Sequence, residues 1–458
     1  MANETVRLAE YAAGLRFEDI PPDVVERAKQ CIVDTVAVVT QGGSLPWSQI
    51  VARYAQRVGA GGRSRILGVG GRAVQAPAAA LANGAFAHAF ESDNLTRPGA
   101  GVHPGGTLLP PALAVAQEHA SNGRALVTAV VAGFEVMYRI GRATKHSNER
   151  HGFHAPGTTG PFGAAVAAGH LLGLDAARMT NALGIAGSLA GGLMEFARSG
   201  TGAMVKRLHL GRASESGVMA ASLAADGFTG PRSVLEGEAG FLKVFCTEWD
   251  MADLTRGLGS DYATMHLCLK RFPMHMTAHT AVQAVLELQA EHGFAGNAVE
   301  HVTVVGNERM ATVNNIRDPR DVMMAQYSIP FCIALACYRD PRDPASFDES
   351  VLTDAAIRDL CGRVTVVAGE SSQGIGGAAV TTIVLRDGRS FTREVTEYNG
   401  TPARPLTRDE LRDKFVTLTR LHYGDDAPGE FERLANLENE QDLSWVGAAP
   451  SRMSLRGA

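Results

Sequence analysis

The sequence is poor in every feature that announces a bound metal or redox group. Its six cysteines stand singly, and none forms a Cys-x-x-Cys pair. That pattern speaks against an iron–sulfur cluster or a structural zinc and for small core residues. A His-Glu-x-x-His motif is also missing. Positive charge is not in excess: 43 Lys and Arg stand against 48 Asp and Glu, for a net charge of -5. There is thus no polybasic footprint for nucleic acid or an anionic membrane surface. No apolar run reaches transmembrane length, since 76–89 and 108–116 are too short. The first residues lack the basic-then-apolar order of a signal peptide, so a cytoplasmic protein is expected.

What the chain does have is length and helical periodicity. Its 458 residues can build more than one domain. Pro21-Pro22-Asp23 opens a helix to about Gln41, with Val24, Ala28, Cys31, Ile32, Thr35 and Val39 on one face. The spacing predicts further helices over 46–58, 76–89, 106–119, 124–141, 158–172, 175–190 and 208–226, all rich in Ala and Gly. Small residues let helices approach closely, which favours a compact all-α bundle. The texture changes after residue 268. Strands are predicted at 301–305 and 363–368, with a hairpin at 378–396 turning on Asp387-Gly388. Thr407-Arg408-Asp409-Glu410 is a capping box that restarts helix. The expected fold is mainly α. An all-helical domain uses both chain ends, 1–268 and 406–458, and a smaller α+β domain, 269–405, is inserted.

Chemistry concentrates between two of these helices. Glu91, Asp93, Arg97 and His103 share a segment too rich in Gly and Pro to stay helical. His154 precedes a helix, where the positive dipole end favours a neutral imidazole suited to a general base. Lys206, Arg207 and His209 form a cationic cluster with apolar flanks. Lys270, Arg271 and His275 form a second one at the expected domain junction. His275 and His279 have a spacing that can bind metal, but no third ligand is evident, so no metal site is expected. The Gly-rich stretch 370–377 lacks Gly-Lys-Ser/Thr and reads as a loop entering the hairpin.

Taken together the motifs resemble the MmgE/PrpD family. They are Asn83-Gly84, Ala87-His88-Ala89-Phe90-Glu91, His103-Pro104-Gly105, Gly152-Phe153-His154 and Gly160-Pro161-Phe162-Gly163. Lys206 with Leu208, His209 and Gly211, Lys270 with Phe272, Pro273 and His275, and Pro405-Leu406-Thr407 complete the series, in order along the whole chain. The resemblance implies a helical domain with an inserted α+β lid and an active site in the cleft between them. It implies a homodimer that uses neither metal nor organic cofactor. Members include 2-methylcitrate dehydratase, cis-aconitate decarboxylase and iminodisuccinate epimerase.

By position the family's acids match Glu91 and Asp93, its histidines His103 and His154, and its lysines Lys206 and Lys270. Glu91 is one methylene longer than the usual Asp, Leu95 stands where Thr is usual, and Phe331 aligns with an active-site Tyr of the decarboxylase. The segment from Asp93 to His103 is also longer and carries Arg97. These departures make cis-aconitate decarboxylation the less expected reaction. The expected activity is a cofactor-independent hydro-lyase of the 2-methylcitrate dehydratase kind, acting on a small di- or tricarboxylate. His103 or His154 would be the base and Lys206 and Lys270 would hold carboxylates. Glu91 or Asp93 would orient or donate, with Arg97, Arg271, His209 and His275 contributing to substrate binding. An epimerase of a similar acid and a silent carboxylate-binding homologue are the alternatives.

Overall fold

A computed structural model describes residues 3–197, 204–369 and 377–448. The chain divides into two compact units. The first holds Met1–Ala89, Asp93–Cys268 and Thr407–Ala458, and the second Phe90–Ser92 with Leu269–Leu406. Most of the Gly-rich stretch at 370–377 lies outside the described residues. Among the described residues, no helix is long and apolar enough to cross a membrane.

The first unit opens with α1 (Glu4–Gly14), α2 (Pro22–Gly43) and α3 (Pro46–Val58). A short strand β1 (Ala60–Ser64) follows. Next come α4 (Ala76–Ala87), strand β2 (Leu95–Thr96), α5 (Pro104–Glu118), α6 (Gly123–Ala143) and α7 (Ser147–Arg150). The unit continues with α8 (Ala155–Leu171), α9 (Ala176–Ser188), α10 (Val205–Ala225), α11 (Phe241–Phe245) and strand β3 (Leu267–Cys268). The last helices of this unit are α17 (Arg408–Tyr423), opened by the predicted capping box on Thr407, and α18 (Ala427–Ala435).

The second unit contains α12 (His279–His292), α13 (Glu308–Ala311), α14 (Val322–Tyr327), α15 (Ile329–Tyr338) and α16 (Ala355–Gly362). Its sheet runs β5-β4-β6-β7, from β4 (Val299–Gly306), β5 (Val364–Ala368), β6 (Ala379–Leu385) and β7 (Ser390–Val395). β4 pairs parallel with β5 and antiparallel with β6. The predicted hairpin turns at Gly388, which has φ 87.

Helix α10 packs on α4 and α8, and α5 packs on both of those. Close approach needs glycine here. A Cβ on Gly211 would stand 2.4 Å from the Leu81 carbonyl oxygen, and one on Gly217 2.2 Å from the Ala164 Cβ.

The sequence placed the start of α8 slightly late, at 158 rather than Ala155, and Pro161 lies inside the helix. Proline inside a helix removes one N–H and frees the carbonyl four residues earlier. Here that carbonyl, on Gly157, accepts the backbone N–H of Gly191 at 3.1 Å. Pro110 in α5 likewise frees the Gly106 carbonyl, which accepts the Ser214 hydroxyl of α10 at 3.4 Å. The prolines therefore turn helix backbone into docking points rather than ending the helices.

The loop from α4 to α5 is bracketed by Asn94. Its amide donates to Asp34 Oδ2 at 2.9 Å and Thr35 Oγ1 at 3.1 Å, and its Oδ1 accepts the Gly105 N–H at 2.7 Å. Asp34 is fully buried and also receives Lys414 Nζ of α17. Leu95 and Thr96 pair antiparallel with Cys268 and Leu267. Leu95, where the family usually has Thr, is thus a buried strand residue. Replacing Asn94 by Ala removes the donor to Asp34 Oδ2 and the acceptor of the Gly105 N–H, and the chain is expected to lose about 2–4 kcal/mol of stability. Urea unfolding checks this; a loss under about 0.5 kcal/mol would show that the bracket carries no weight.

Candidate active site

Helix α4 buries almost every residue it has and ends at Ala87. His88 caps its C-terminus, and five residues later Asp93 is 2% exposed. Such a carboxylate needs partners. Asp93 Oδ2 lies 2.9 Å from His88 Nδ1 and 2.7 Å from His103 Nδ1. Both rings thus present Nδ1–H to one oxygen, which leaves each Nε2 as the basic atom when the ring is neutral. Pro104 starts α5 and makes His103 its N-cap. The two rings meet edge to face with centroids 5.0 Å apart.

His154 is the N-cap of α8, and its backbone N–H donates to the Gly192 carbonyl at 3.0 Å. The Gly191 bond to the carbonyl freed by Pro161 holds the same segment. His154 Nδ1 lies 2.9 Å from His209 Nδ1. Two imidazole nitrogens in contact can share only one proton, so one ring donates and the other accepts. Phe196 meets both rings edge to face and forms an apolar wall. The His88 ring is 5.8 Å from that of His154, so all four histidines are contiguous. His209, expected to bind substrate, lies within hydrogen-bond distance of His154.

Lys206 sits in the first turn of α10, 6% exposed. Burial and then the Lys206 charge push His88 down to about 4. Burial, His88 and Lys206 hold His154 well below the usual histidine value. His209 is lowered by burial and by Lys206. His88, His154 and His209 therefore favour the neutral imidazole beside one buried cation.

In the second unit Glu91 is buried with φ 54, a left-handed conformation that costs a side chain about 1–2 kcal/mol. The twist turns its carboxylate toward Lys270, whose Nζ donates to Oε2 at 3.0 Å. The Tyr327 hydroxyl donates to Oε1 at 3.2 Å. Gln326 holds the segment by donating to the carbonyls of Phe90 at 3.0 Å and Pro273 at 2.9 Å. The His275 ring lies against Tyr327, centroids 4.6 Å apart. Lys270 and Glu91, expected as separate carboxylate binder and acid, are thus paired with each other.

Other expectations are redistributed. Phe331 is fully buried in α15, while Tyr327, four residues earlier, brings a phenol onto Glu91. Arg271 is half-buried within electrostatic reach of Asp340. Arg97 is half-buried, and its backbone N–H donates to the His266 carbonyl at 2.8 Å. His279 is buried against Phe272 and Tyr398 rather than paired with His275 for a metal. Among the described residues, His88, Asp93 and His103 could hold a metal ion, their donor atoms lying within 4.8 Å of one another. The two Nδ1 contacts to Asp93 already have hydrogen-bond spacing. Sequence reasoning missed His88 and Tyr327. The available signals were a lone histidine closing an apolar helix and a tyrosine just before Ser328-Ile329-Pro330, a helix start.

The MmgE/PrpD N-terminal domain matches residues 6–253 and the MmgE/PrpD C-terminal domain residues 272–438. The chain belongs to the MmgE/PrpD family. It is 30% identical over 444 residues to a cis-aconitate decarboxylase of Aspergillus terreus, covering 90% of this chain and 89% of that one. It is 26% identical over 446 residues to the human cis-aconitate decarboxylase, covering 94% and 91%. A cis-aconitate decarboxylase-like protein, oryM of Aspergillus oryzae, is 31% identical over 305 residues, 63% of this chain and 62% of that one.

The lowered histidines make stability depend on pH. Below pH 6.5 the unfolded chain binds a proton at His88 that the folded chain refuses until about 4. Stability then falls with pH by about 1.4 kcal/mol per unit for each such histidine. Urea unfolding between pH 7 and 5 should show a slope smaller by about that amount in a His88→Gln variant. Equal slopes would mean that His88 titrates normally in the fold.

Proposed function

We propose that this protein is a cofactor-independent lyase that moves a proton next to a carboxylate of a small di- or tricarboxylate. The observation that carries this reading is the His154–His209 contact of 2.9 Å beside buried Lys206. A neutral imidazole oriented by a second ring is a general base, and general acid–base help is worth about 10²–10⁴-fold. Taking a proton from the carbon next to a carboxylate builds a dianionic, enolate-like state. A buried ammonium stabilises that state more than the ground state, because the added charge appears where the cation already sits.

In this reading His154 takes the carbon-bound proton, and the electron pair forms the new double bond. The carbon–oxygen bond to the hydroxyl breaks, and His103 protonates the leaving oxygen so that water departs. Asp93 orients His103 through Nδ1, as a buried carboxylate orients an imidazole in other acid–base sites. This gives Asp93 a positioning part rather than a donating one.

Decarboxylation is the second reading. The relatives named cis-aconitate decarboxylases favour it, and so does the Tyr327 phenol, which removes one of the departures argued from Phe331. In that case the carbon–carbon bond to a carboxylate breaks and carbon dioxide leaves. The electron pair shifts through the double bond, and an acid of the site protonates the far carbon. The same residues serve both reactions with the proton moving in opposite directions.

Proton NMR in heavy water separates them, with citrate, 2-methylcitrate, cis-aconitate, malate and aspartate-derived diacids as the panel. A new vinyl signal from a hydroxy acid is the expected outcome. Release of carbon dioxide from cis-aconitate establishes the second reading. Deuterium exchange without loss of mass makes the protein an epimerase, and binding without change makes it a silent homologue; either overturns the lyase assignment. Lys206→Ala should lower turnover of the active acid by about 10²–10³-fold. Turnover near the parent value would remove Lys206 from the chemistry.

A further inference from the structure

The loop between β2 and α5 delivers His103 to the site. Among the described residues, no backbone–backbone hydrogen bond holds 98–102. Pro98, Gly99 and Gly101 also leave the stretch few side chains of its own. It leans on three helices instead. A Cβ on Gly141 of α6 would stand 2.2 Å from the Ala100 carbonyl oxygen, and one on Gly101 2.7 Å from the Ala155 Cβ of α8. The third helix is α7, whose N-cap is His146. His146 Nε2 lies 3.1 Å from the Gly99 carbonyl oxygen, and its Nδ1 lies 2.5 Å from Glu149 Oε2.

Both neighbours of the His146 ring are acceptors. A neutral imidazole has one N–H and one lone pair, so it can satisfy only one of them. The two bonds together need one proton more than a neutral ring and a carboxylate hold between them. With that proton the ring donates on both sides, and the bonds are charge-assisted. The backbone is strained to put the ring there. Lys145 has φ 49 and His146 φ 57, left-handed values at two successive non-glycine residues. The Arg150 guanidinium steadies this turn by donating to the Lys145 carbonyl at 2.9 Å.

The charges around the ring are largely engaged elsewhere. Arg150 meets Glu248 at 3.0 Å, and Lys145 meets Asp253 at 2.7 Å and Asp250 at 3.7 Å. Asp253 also receives Arg142 of α6. Arg97 is the one charged residue of the loop, and Ala155 of α8 adds no charge. The hydrogen bond to Glu149 raises the His146 pKa above the usual histidine value. The Glu149 charge and the Gly99 carbonyl add to the rise, while burial and Arg150 oppose it. His88, His154 and His209 move the other way.

We propose that His146 is a positioning residue: its imidazolium ties the Gly99 carbonyl to Glu149, so the loop that carries His103 is docked only while that proton is present. The inference rests on the reading of His103 as an acid of the reaction. A group whose pKa is raised in the docked state adds its stability below the ordinary histidine value and loses it as pH rises through the raised one. The docked form is therefore the low-pH form, and turnover should carry an alkaline limb.

Two measurements test this, and one needs no substrate. Carbon-13 NMR of glycine-labelled protein reads the Gly99 carbonyl, identified by its loss in Gly99→Ala, whose Cβ would stand 3.7 Å from the His146 ring. Nitrogen-15 NMR of histidine-labelled protein reads His146, identified through His146→Gln. The carbonyl shift should follow the His146 midpoint, above the ordinary histidine value, and should stay flat over that range in His146→Gln. A carbonyl that ignores the titration of His146, or a midpoint at or below the ordinary value, would overturn the proposal. With an acid that is turned over, kcat should fall about 10-fold along the limb while KM changes less. Glu149→Gln should move the limb to lower pH. His146→Lys should abolish it below the lysine range, because an ammonium can donate to both acceptors. Circular dichroism confirms that each variant is folded. A limb unchanged in His146→Lys would also overturn the proposal. Failure of every acid to react would sink the lyase reading alone, because the carbonyl shift still decides the tie.

Discussion

The buried carboxylate of Asp93 sets the terms for everything around it. A carboxylate with 2% of its surface exposed would be strongly destabilising without hydrogen-bonded partners. His88 and His103 meet that need through one oxygen, which fixes the face that each ring turns away from it. Their positions in turn depend on helix ends. His88 closes α4, His103 opens α5, and Asn94 holds the intervening loop to α2. Lys206 then enters a place already crowded with imidazoles; burial first, and its charge beside them, hold His88 and His154 below the usual histidine value. Charge, tautomer and helix geometry are thus one problem with one solution.

The backbone shows the same economy. Pro110 and Pro161 cost helical hydrogen bonds, yet the carbonyls they free accept Ser214 and Gly191. Gly191 leads to Gly192, whose carbonyl fixes His154. A Cβ on Gly192 would come within 3.2 Å of the His209 ring, so glycine there leaves room for the ring pair. Glu91 accepts a left-handed backbone to reach Lys270 and Tyr327. Strain of this kind persists where surrounding contacts hold it.

Periodicity and capping made much of this legible beforehand. The helix predicted at 106–119 is present but starts two residues earlier, at Pro104, which makes His103 its N-cap. The capping box at Thr407 and the turn at Asp387-Gly388 also lie where the sequence put them. The misses have physical causes. The helix predicted from 158 begins three residues earlier and runs through Pro161, whose freed Gly157 carbonyl finds a tertiary partner in the Gly191 N–H that no local pattern shows. His88 was hidden in an apolar run, and its function as a carboxylate partner depends on the fold of the next five residues. Tyr327 was overlooked because Phe331, which is fully buried, stands at the position aligned with a tyrosine of the decarboxylase. The Lys270–Glu91 pairing depends on a backbone twist that no local pattern encodes.

The imidazoles beside Lys206 must be neutral in the working protein if the site is to take a proton from substrate. Nitrogen-15 NMR of histidine-labelled protein reads ring protonation and tautomer directly. Across pH 7 to 5.5, His88 and His154 should keep the shifts of neutral rings, with His88 protonated at Nδ1. Imidazolium shifts for either residue at pH 7 would contradict this, because a charged ring could neither accept the substrate proton nor sit beside the buried ammonium at so little cost.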